Sequence, residues 1–86
     1  MILNVMERHV HEAYNRLRGA VKDFVDSPNH RDDVIVYALN RLPPKYVVTD
    51  AGKAVTEAAL DGSQQRTAID VQVIEAMRHI TIRPRA

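Results

Sequence analysis

The apolar residues in the first quarter of the chain recur at alternating steps of three and four positions. The series contains Leu3, Met6, Val10, Ala13, Leu17, Ala20 and Phe24. This spacing aligns apolar side chains along one stripe of an α-helix, and most intervening positions are polar. The sequence therefore predicts a long amphipathic helix over residues 3–24, which Gly19 weakens only locally.

The second helix is predicted from a proline near its start and a pair of prolines at its end. The segment DSPNH, residues 26–30, combines capping residues with a proline suited to a first helical turn. A proline cannot donate a backbone hydrogen bond, and it disfavours helical geometry in the residue before it. We therefore predict a helix from about Asn29 or Arg31 to Leu42, ended by Pro43.

The chain after the two prolines predicts a short extended segment and then a third helix. The segment YVVT, residues 46–49, is rich in residues that favour strands. Asp50 is suited to cap a helix over about residues 51–60, and Gly62 is suited to end it. This third helix carries many small side chains, which allow close helix approach.

A last helix is predicted from Thr67, or from the preceding DGSQQ loop, to about His79. One apolar stripe contains Ile69, Val73, Ala76 or Met77, and Ile80, and a second contains Val71 and Ile74. Two apolar stripes on one helix indicate that the helix packs against two neighbouring elements, one of which we expect to belong to another subunit. The tail ITIRPRA, residues 80–86, alternates apolar and polar residues before a proline at position 84. This pattern predicts a short edge strand or a frayed end.

Length and composition favour a small globular protein. With 86 residues the chain makes one domain, residues 1–86, which buries about 60 to 65% of its unfolded surface. It has twelve Lys and Arg, eleven Asp and Glu, and no cysteine, so we expect neither strong nucleic-acid binding nor disulfides. No apolar run is long enough to cross a membrane and no secretory signal is apparent, so we expect a cytoplasmic protein.

The residue types that carry catalysis are scattered. His9 and His11 point in roughly opposite directions on a helix, and the other two histidines are isolated. Ser27 and Ser63 lie in turn signals with no base nearby, and the three glycines form no phosphate-binding loop. We therefore expect no metal site, no cofactor and no enzyme activity.

Aromatic, cationic and amide side chains are concentrated around the proline pair. They are Tyr37, Asn40, Arg41, Lys45, Tyr46, Thr49 and Lys53. Tyr37 and Arg41 are four positions apart on a predicted helix, so their side chains can touch. Arginine pairs with or stacks on guanine, tyrosine stacks on bases, and lysine attracts phosphate. The alternative is purely architectural, because Arg41 and Asn40 also suit a helix C-terminus and Tyr46 suits a core.

Two further segments form a distinctive pattern, NVME at residues 4–7 and DDVIVYALNRLPPKYVVTDAG at residues 32–52. Together they resemble the late competence development protein ComFB family of bacteria, and the resemblance covers about two thirds of the chain. Many members carry paired cysteines between the first two helices, where this chain reads FVDSPNHRDD. Because this chain lacks those cysteines, we do not expect it to bind zinc as such members do. The cysteine-free pattern resembles the cyanobacterial-type members, which are described as homodimeric cyclic di-GMP receptors.

The resemblance implies a compact, all-α, dimer-forming four-helix domain with a short extended segment after the Pro-Pro turn. It also implies a non-enzymatic protein that forms a homodimer through its first or last helix and binds cyclic di-GMP. Such a protein passes the signal to a downstream protein and is linked to competence, motility or cell size. In that site Arg41 pairs with or stacks on a guanine, and Tyr37 or Tyr46 stacks on a base. Asn40 either fixes the turn or forms a hydrogen bond to the edge of a base. The phosphates are neutralised by Arg31, Lys45 or Lys53. The alternatives are a protein-interaction or structural dimer with no nucleotide, and a DNA-binding helix-turn-helix, which the long LPPKYVVTD connection disfavours.

Overall fold

Four helices and one pair of very short strands make up the described part of the chain. The structure is a computed structural model, and it describes residues 2–48 and 50–84. The elements in chain order are β1 (Leu3–Asn4), α1 (Val5–Leu17), α2 (Pro28–Leu39), β2 (Tyr46–Val47), α3 (Asp50–Leu60) and α4 (Ser63–Ile82). The prediction of a mostly helical four-helix domain with a short extended segment after the prolines is confirmed.

The first helix is shorter than its apolar repeat predicts. Met6, Val10 and Ala13 are buried as expected, but α1 ends at Leu17 and the chain then passes through turns. Gly19 lies in these turns, and Asp23 takes a left-handed backbone conformation with φ of 69°. Glycine weakens a helix, and aspartate tolerates the left-handed region better than most residues. The predicted helical continuation to residue 24 is therefore wrong.

The second helix starts at Pro28, with Ser27 as its N-cap. The Ser27 hydroxyl accepts a hydrogen bond from the backbone N–H of His30 at 3.2 Å. The helix ends at Leu39 rather than at the predicted Leu42, because the last residues form tighter turns. The N–H of Leu42 donates to the carbonyl of Leu39 at 3.4 Å, a bond across three residues rather than four.

The predicted extended segment forms one strand of a two-stranded antiparallel sheet. Its partner is β1, with Leu3 opposite Val47 and Asn4 opposite Tyr46. Leu3 was predicted to be helical, and the pairing with β2 explains why it is extended instead. Thr49, which belonged to the same predicted segment, lies outside the described residues.

The third helix matches its predicted span closely, and the fourth begins within the DGSQQ segment and extends past its predicted end. Gly62 is the N-cap residue of α4, with an extended backbone, and not the left-handed end signal of α3. At the other end Ile80 is buried in the core, and the Thr81 hydroxyl donates to the Met77 carbonyl at 2.8 Å. Burial of Ile80 therefore outweighs the strand-like alternation, and the predicted edge strand or frayed end is wrong for residues 80–82.

The core lies where α1, α2 and α4 meet. Its most deeply buried apolar side chains include Val10, Val34, Ala38, Val73, Ala76 and Met77. The second predicted stripe of α4 lies outside this core, since Val71 is exposed and Ile74 is half-buried. Within the described residues, none of the helices is both long enough and apolar enough to pass through a membrane.

Candidate functional site

A groove between α2 and α4 brings together three of the predicted site residues. Its volume is about 470 Å³. Helix α2 and the turn after it contribute Asp32, Asp33, Val36, Tyr37, Asn40 and Arg41, and α4 with its C-cap contributes His79, Ile80 and Arg83. The groove therefore combines an aromatic ring, an amide, two guanidinium groups and two carboxylates along one open surface.

Tyr37 and Arg41 form the main contact within this groove. The guanidinium carbon of Arg41 lies 3.6 Å from the centroid of the Tyr37 ring. Its Nη1 also donates a hydrogen bond to the Tyr37 carbonyl at 3.3 Å. The predicted contact between these side chains is confirmed. A guanidinium placed over an aromatic ring is attracted by the ring's quadrupole, and the contact limits the conformations of the side chain.

The Tyr37 ring also contacts His79 of α4. The two ring centroids are 4.8 Å apart and the planes are inclined by 31°. His79 is isolated in the sequence, because no local spacing relates it to Tyr37. Only the packing of α4 against α2 brings the two rings together, so no short-range signal could have identified this contact.

Arg83 is the second groove residue that sequence reasoning missed. It is the C-cap of α4, where its backbone N–H donates to the His79 carbonyl at 2.8 Å. The predicted strand or frayed tail over residues 80–86 would not place this position beside α2. A helix that continues to Ile82 instead places Arg83 beside the groove.

Arg31, which was predicted to meet a phosphate, lies at a different surface. It lines a cavity of about 230 Å³ together with Asp26, Ser27 and Pro28. Its positive charge is one of the influences that lower the pKa of Asp26, after the hydrogen bond from Tyr14 and the effects of Arg18. Arg31 therefore contributes to the electrostatics of the α1–α2 connection and does not line the α2–α4 groove.

The predicted site residues that follow the prolines also lie away from the groove. Lys45 lines a cavity of about 290 Å³ that includes Val55 and Leu60. Tyr46 is 65% exposed on β2. Lys53 is half-buried on α3. The segment around the prolines thus divides between two surfaces, and the predicted ligand roles of all these residues stay predictions.

Comparison with known proteins assigns the chain to a family. The family model described as "Late competence development protein ComFB" matches residues 3–84. The chain belongs to the ComFB family. The resemblance first visible in two segments therefore extends through α4. A search of curated proteins gave no match.

A solved structure supports the same assignment. Its title is "Structural characterization of the late competence protein ComFB from Bacillus subtilis", and it is similar to this chain with a TM-score of 0.88 and 26% sequence identity. The similarity covers 99% of this chain and 93% of that one. The four-helix architecture is therefore shared with ComFB over almost the whole length of both chains.

This ComFB-family chain has a second polar surface, on the side of α1 that faces the turn between α3 and α4. His9 is buried there, and its Nδ1 lies 3.8 Å from a carboxylate oxygen of Asp61. Arg16 makes two hydrogen bonds to Asp70 nearby, at 2.7 and 3.1 Å. Among residues 2–48 and 50–84, no group of three or more His, Cys, Asp or Glu side chains is arranged to hold a metal ion.

Proposed function

We propose that this ComFB-family chain is a non-enzymatic signalling protein that binds cyclic di-GMP as a homodimer. In this proposal it acts in the cytoplasm and passes the signal to a downstream protein in the control of competence, motility or cell size. The observation that carries the proposal is the Arg41 guanidinium, which lies 3.6 Å from the Tyr37 ring centroid in an open groove.

The chemistry of this stack suits a guanine base. A guanidinium plane supported on one face by an aromatic ring can stack on a base, and its edge can pair with guanine O6 and N7. Asn40 supplies an amide at the same groove. The groove volume of about 470 Å³ falls within the range of sites that hold small organic ligands.

Exposed apolar side chains support the homodimer part of the proposal. Val36 lines the groove and is 56% exposed, and Val71 on α4 is 49% exposed. Single exposed apolar residues are common, but a second subunit that covered both α2 and α4 would remove these from water. Sedimentation of the purified chain across a range of concentrations measures this association directly.

The test of the ligand is isothermal titration of the wild-type chain with cyclic di-GMP, followed by Arg41→Ala. We expect binding by the wild type and a loss of affinity of at least tenfold in Arg41→Ala, because one stacked, pairing side chain is removed. Arg78→Ala is the matched control, since Arg78 is an exposed arginine of α4 that does not line the groove. Absence of heat with the wild type would rule out this ligand.

The second candidate is a protein-interaction or structural dimer with no nucleotide ligand. The hydrogen bond from Arg41 to the Tyr37 carbonyl favours it, because the side chain then stabilises the end of α2. This candidate predicts that Arg41→Ala lowers the melting temperature without changing any nucleotide titration. We do not propose DNA binding, since residues 40–49 separate α2 from α3 and a helix-turn-helix uses a turn of about three or four residues.

A further inference from the structure

The α2–α4 groove lacks the cations that were predicted to meet the phosphates of the ligand. Arg31 and Lys45 line other cavities. Arg41 lines the groove, but in the proposed function its guanidinium contacts the guanine base. A bound cyclic dinucleotide brings two phosphates into the groove, and a further cation there would stabilise their negative charge. Among the residues that line the groove, Arg83 is the other arginine.

The position of Arg83 suits phosphate binding. Its backbone is fixed at the end of α4 by the 2.8 Å hydrogen bond to His79, while its side chain is exposed. Arginine presents a rigid fork of donors that matches phosphate oxygens. The carboxylates of Asp32 and Asp33 line the same groove and repel phosphate. A phosphate in this groove is therefore favoured where an arginine is close.

We propose that Arg83 binds a phosphate of the dinucleotide and that His79 is a positioning residue for the Tyr37–Arg41 stack. The inference rests on the proposed function and deepens it, because it makes the C-terminal end of α4 part of the ligand site. His79 acts through its ring, which packs on Tyr37 at 4.8 Å between centroids and limits the movement of the surface on which Arg41 lies.

The test of Arg83 is the salt dependence of cyclic di-GMP binding. We expect Arg83→Gln to bind about tenfold more weakly than the wild type at 0.15 M salt, because a charge-assisted contact is lost. We also expect the affinity of Arg83→Gln to fall with rising salt along a shallower slope than that of the wild type, because one screened charge pair is lost. Arg78→Gln removes the same charge from the same helix outside the groove and is expected to leave affinity and slope unchanged.

The test of His79 compares an aromatic replacement with a small one. His79→Phe keeps a flat ring against Tyr37 and is expected to bind within about threefold of the wild type, whereas His79→Ala loses about tenfold. Melting temperatures of both variants without ligand separate this effect from instability. If His79→Ala binds as tightly as the wild type, the positioning role is wrong.

Failure of this inference is distinguishable from failure of the proposed function. If the wild type binds cyclic di-GMP and Arg41→Ala does not, but Arg83→Gln keeps the wild-type affinity and salt slope, the phosphate role of Arg83 is wrong and the proposed function stands. If the wild type binds no cyclic di-GMP in the same titration, both proposals are overturned.

Discussion

The side-chain oxygen of Asn4 accepts a hydrogen bond from the backbone N–H of Lys45 at 2.9 Å. The same oxygen accepts from the N–H of Met6 at 3.2 Å, and thereby caps α1. The N–H of Val5 in turn donates to the Lys45 carbonyl at 2.8 Å. One amide thus joins the start of α1 to the exit of the Pro43–Pro44 corner. The two segments that resemble the ComFB family form one structural unit.

Replacement of Asn4 by alanine is expected to lower the free energy of unfolding by about 1 to 3 kcal/mol. The change removes a helix cap and leaves the N–H of Lys45 without its acceptor. Asn4→Asp keeps an oxygen in the same place and is expected to remain within about 0.5 kcal/mol of the wild type. Urea unfolding measures the stability of both variants. Equal stability of Asn4→Ala and wild type would show that the joint is dispensable.

The pH dependence of stability is expected to depend on Tyr14 and Asp26. The Tyr14 hydroxyl donates to the Asp26 carboxylate. This bond is the main cause that lowers the pKa of Asp26, and burial followed by the same bond raises the pKa of Tyr14. The Asp26 contribution is present above about pH 4 and is lost as the pH falls. The Tyr14 contribution is present below about pH 10 and is lost as the pH rises.

Tyr14→Phe therefore should flatten the stability profile at both its acid and its alkaline end. At pH 7 it should also lower the melting temperature, because a hydrogen bond to a charged group is lost. Thermal unfolding from pH 3 to 11 measures the profile. Tyr46→Phe is the control, since Tyr46 is 65% exposed. A Tyr14→Phe profile parallel to that of the wild type would contradict the assignment.

The sequence predicted the helices well where local signals are strong. Prolines mark both ends of α2, and the predicted end at Leu42 lies three residues beyond the observed end at Leu39. The prediction is close because a proline acts directly on the backbone geometry of its neighbours. The apolar repeat of α1 continued past the true end at Leu17. Periodicity identifies the face that is buried, but it does not show where a turn interrupts the helix.

The candidate site was predictable only in part, because only one of its contacts is local. Tyr37 and Arg41 are four positions apart on consecutive turns, and their contact followed from that spacing. His79 and Arg83 enter the groove through the packing of α4 on α2. Lys45 is close to Arg41 in sequence, but the turn after α2 places it at another surface.

His9 is expected to cost stability rather than supply it. It is 7% exposed, and its Nε2 is buried without a hydrogen-bond partner among the described residues. A buried polar group without a partner costs about 1 to 3 kcal/mol. His9→Leu, which has a similar volume, is therefore expected to unfold at the same or a higher urea concentration than the wild type. His11→Leu is the exposed control. A clear loss of stability in His9→Leu alone would reveal a polar role for the imidazole, whose Nδ1 lies 3.8 Å from a carboxylate oxygen of Asp61.

Helix α3 is expected to be the least stable helix, because Leu60 is the one residue of α3 that is buried. Beyond Leu60, an exposed ion pair between Arg8 and Glu57 at 2.8 Å joins α3 to α1, and exposed pairs contribute at most about 1 kcal/mol.

Leu60→Ala is expected to cost about 2 to 5 kcal/mol and to speed amide hydrogen exchange in α3 more than in α1 or α2. Val55→Ala is the matched control, since Val55 is on the same helix and is 72% exposed. Exchange measured by mass spectrometry after pepsin digestion resolves the helices. If α3 in the wild type exchanges as slowly as α1, the helix is held by more than Leu60, and a subunit contact over its exposed face becomes the explanation to test by sedimentation.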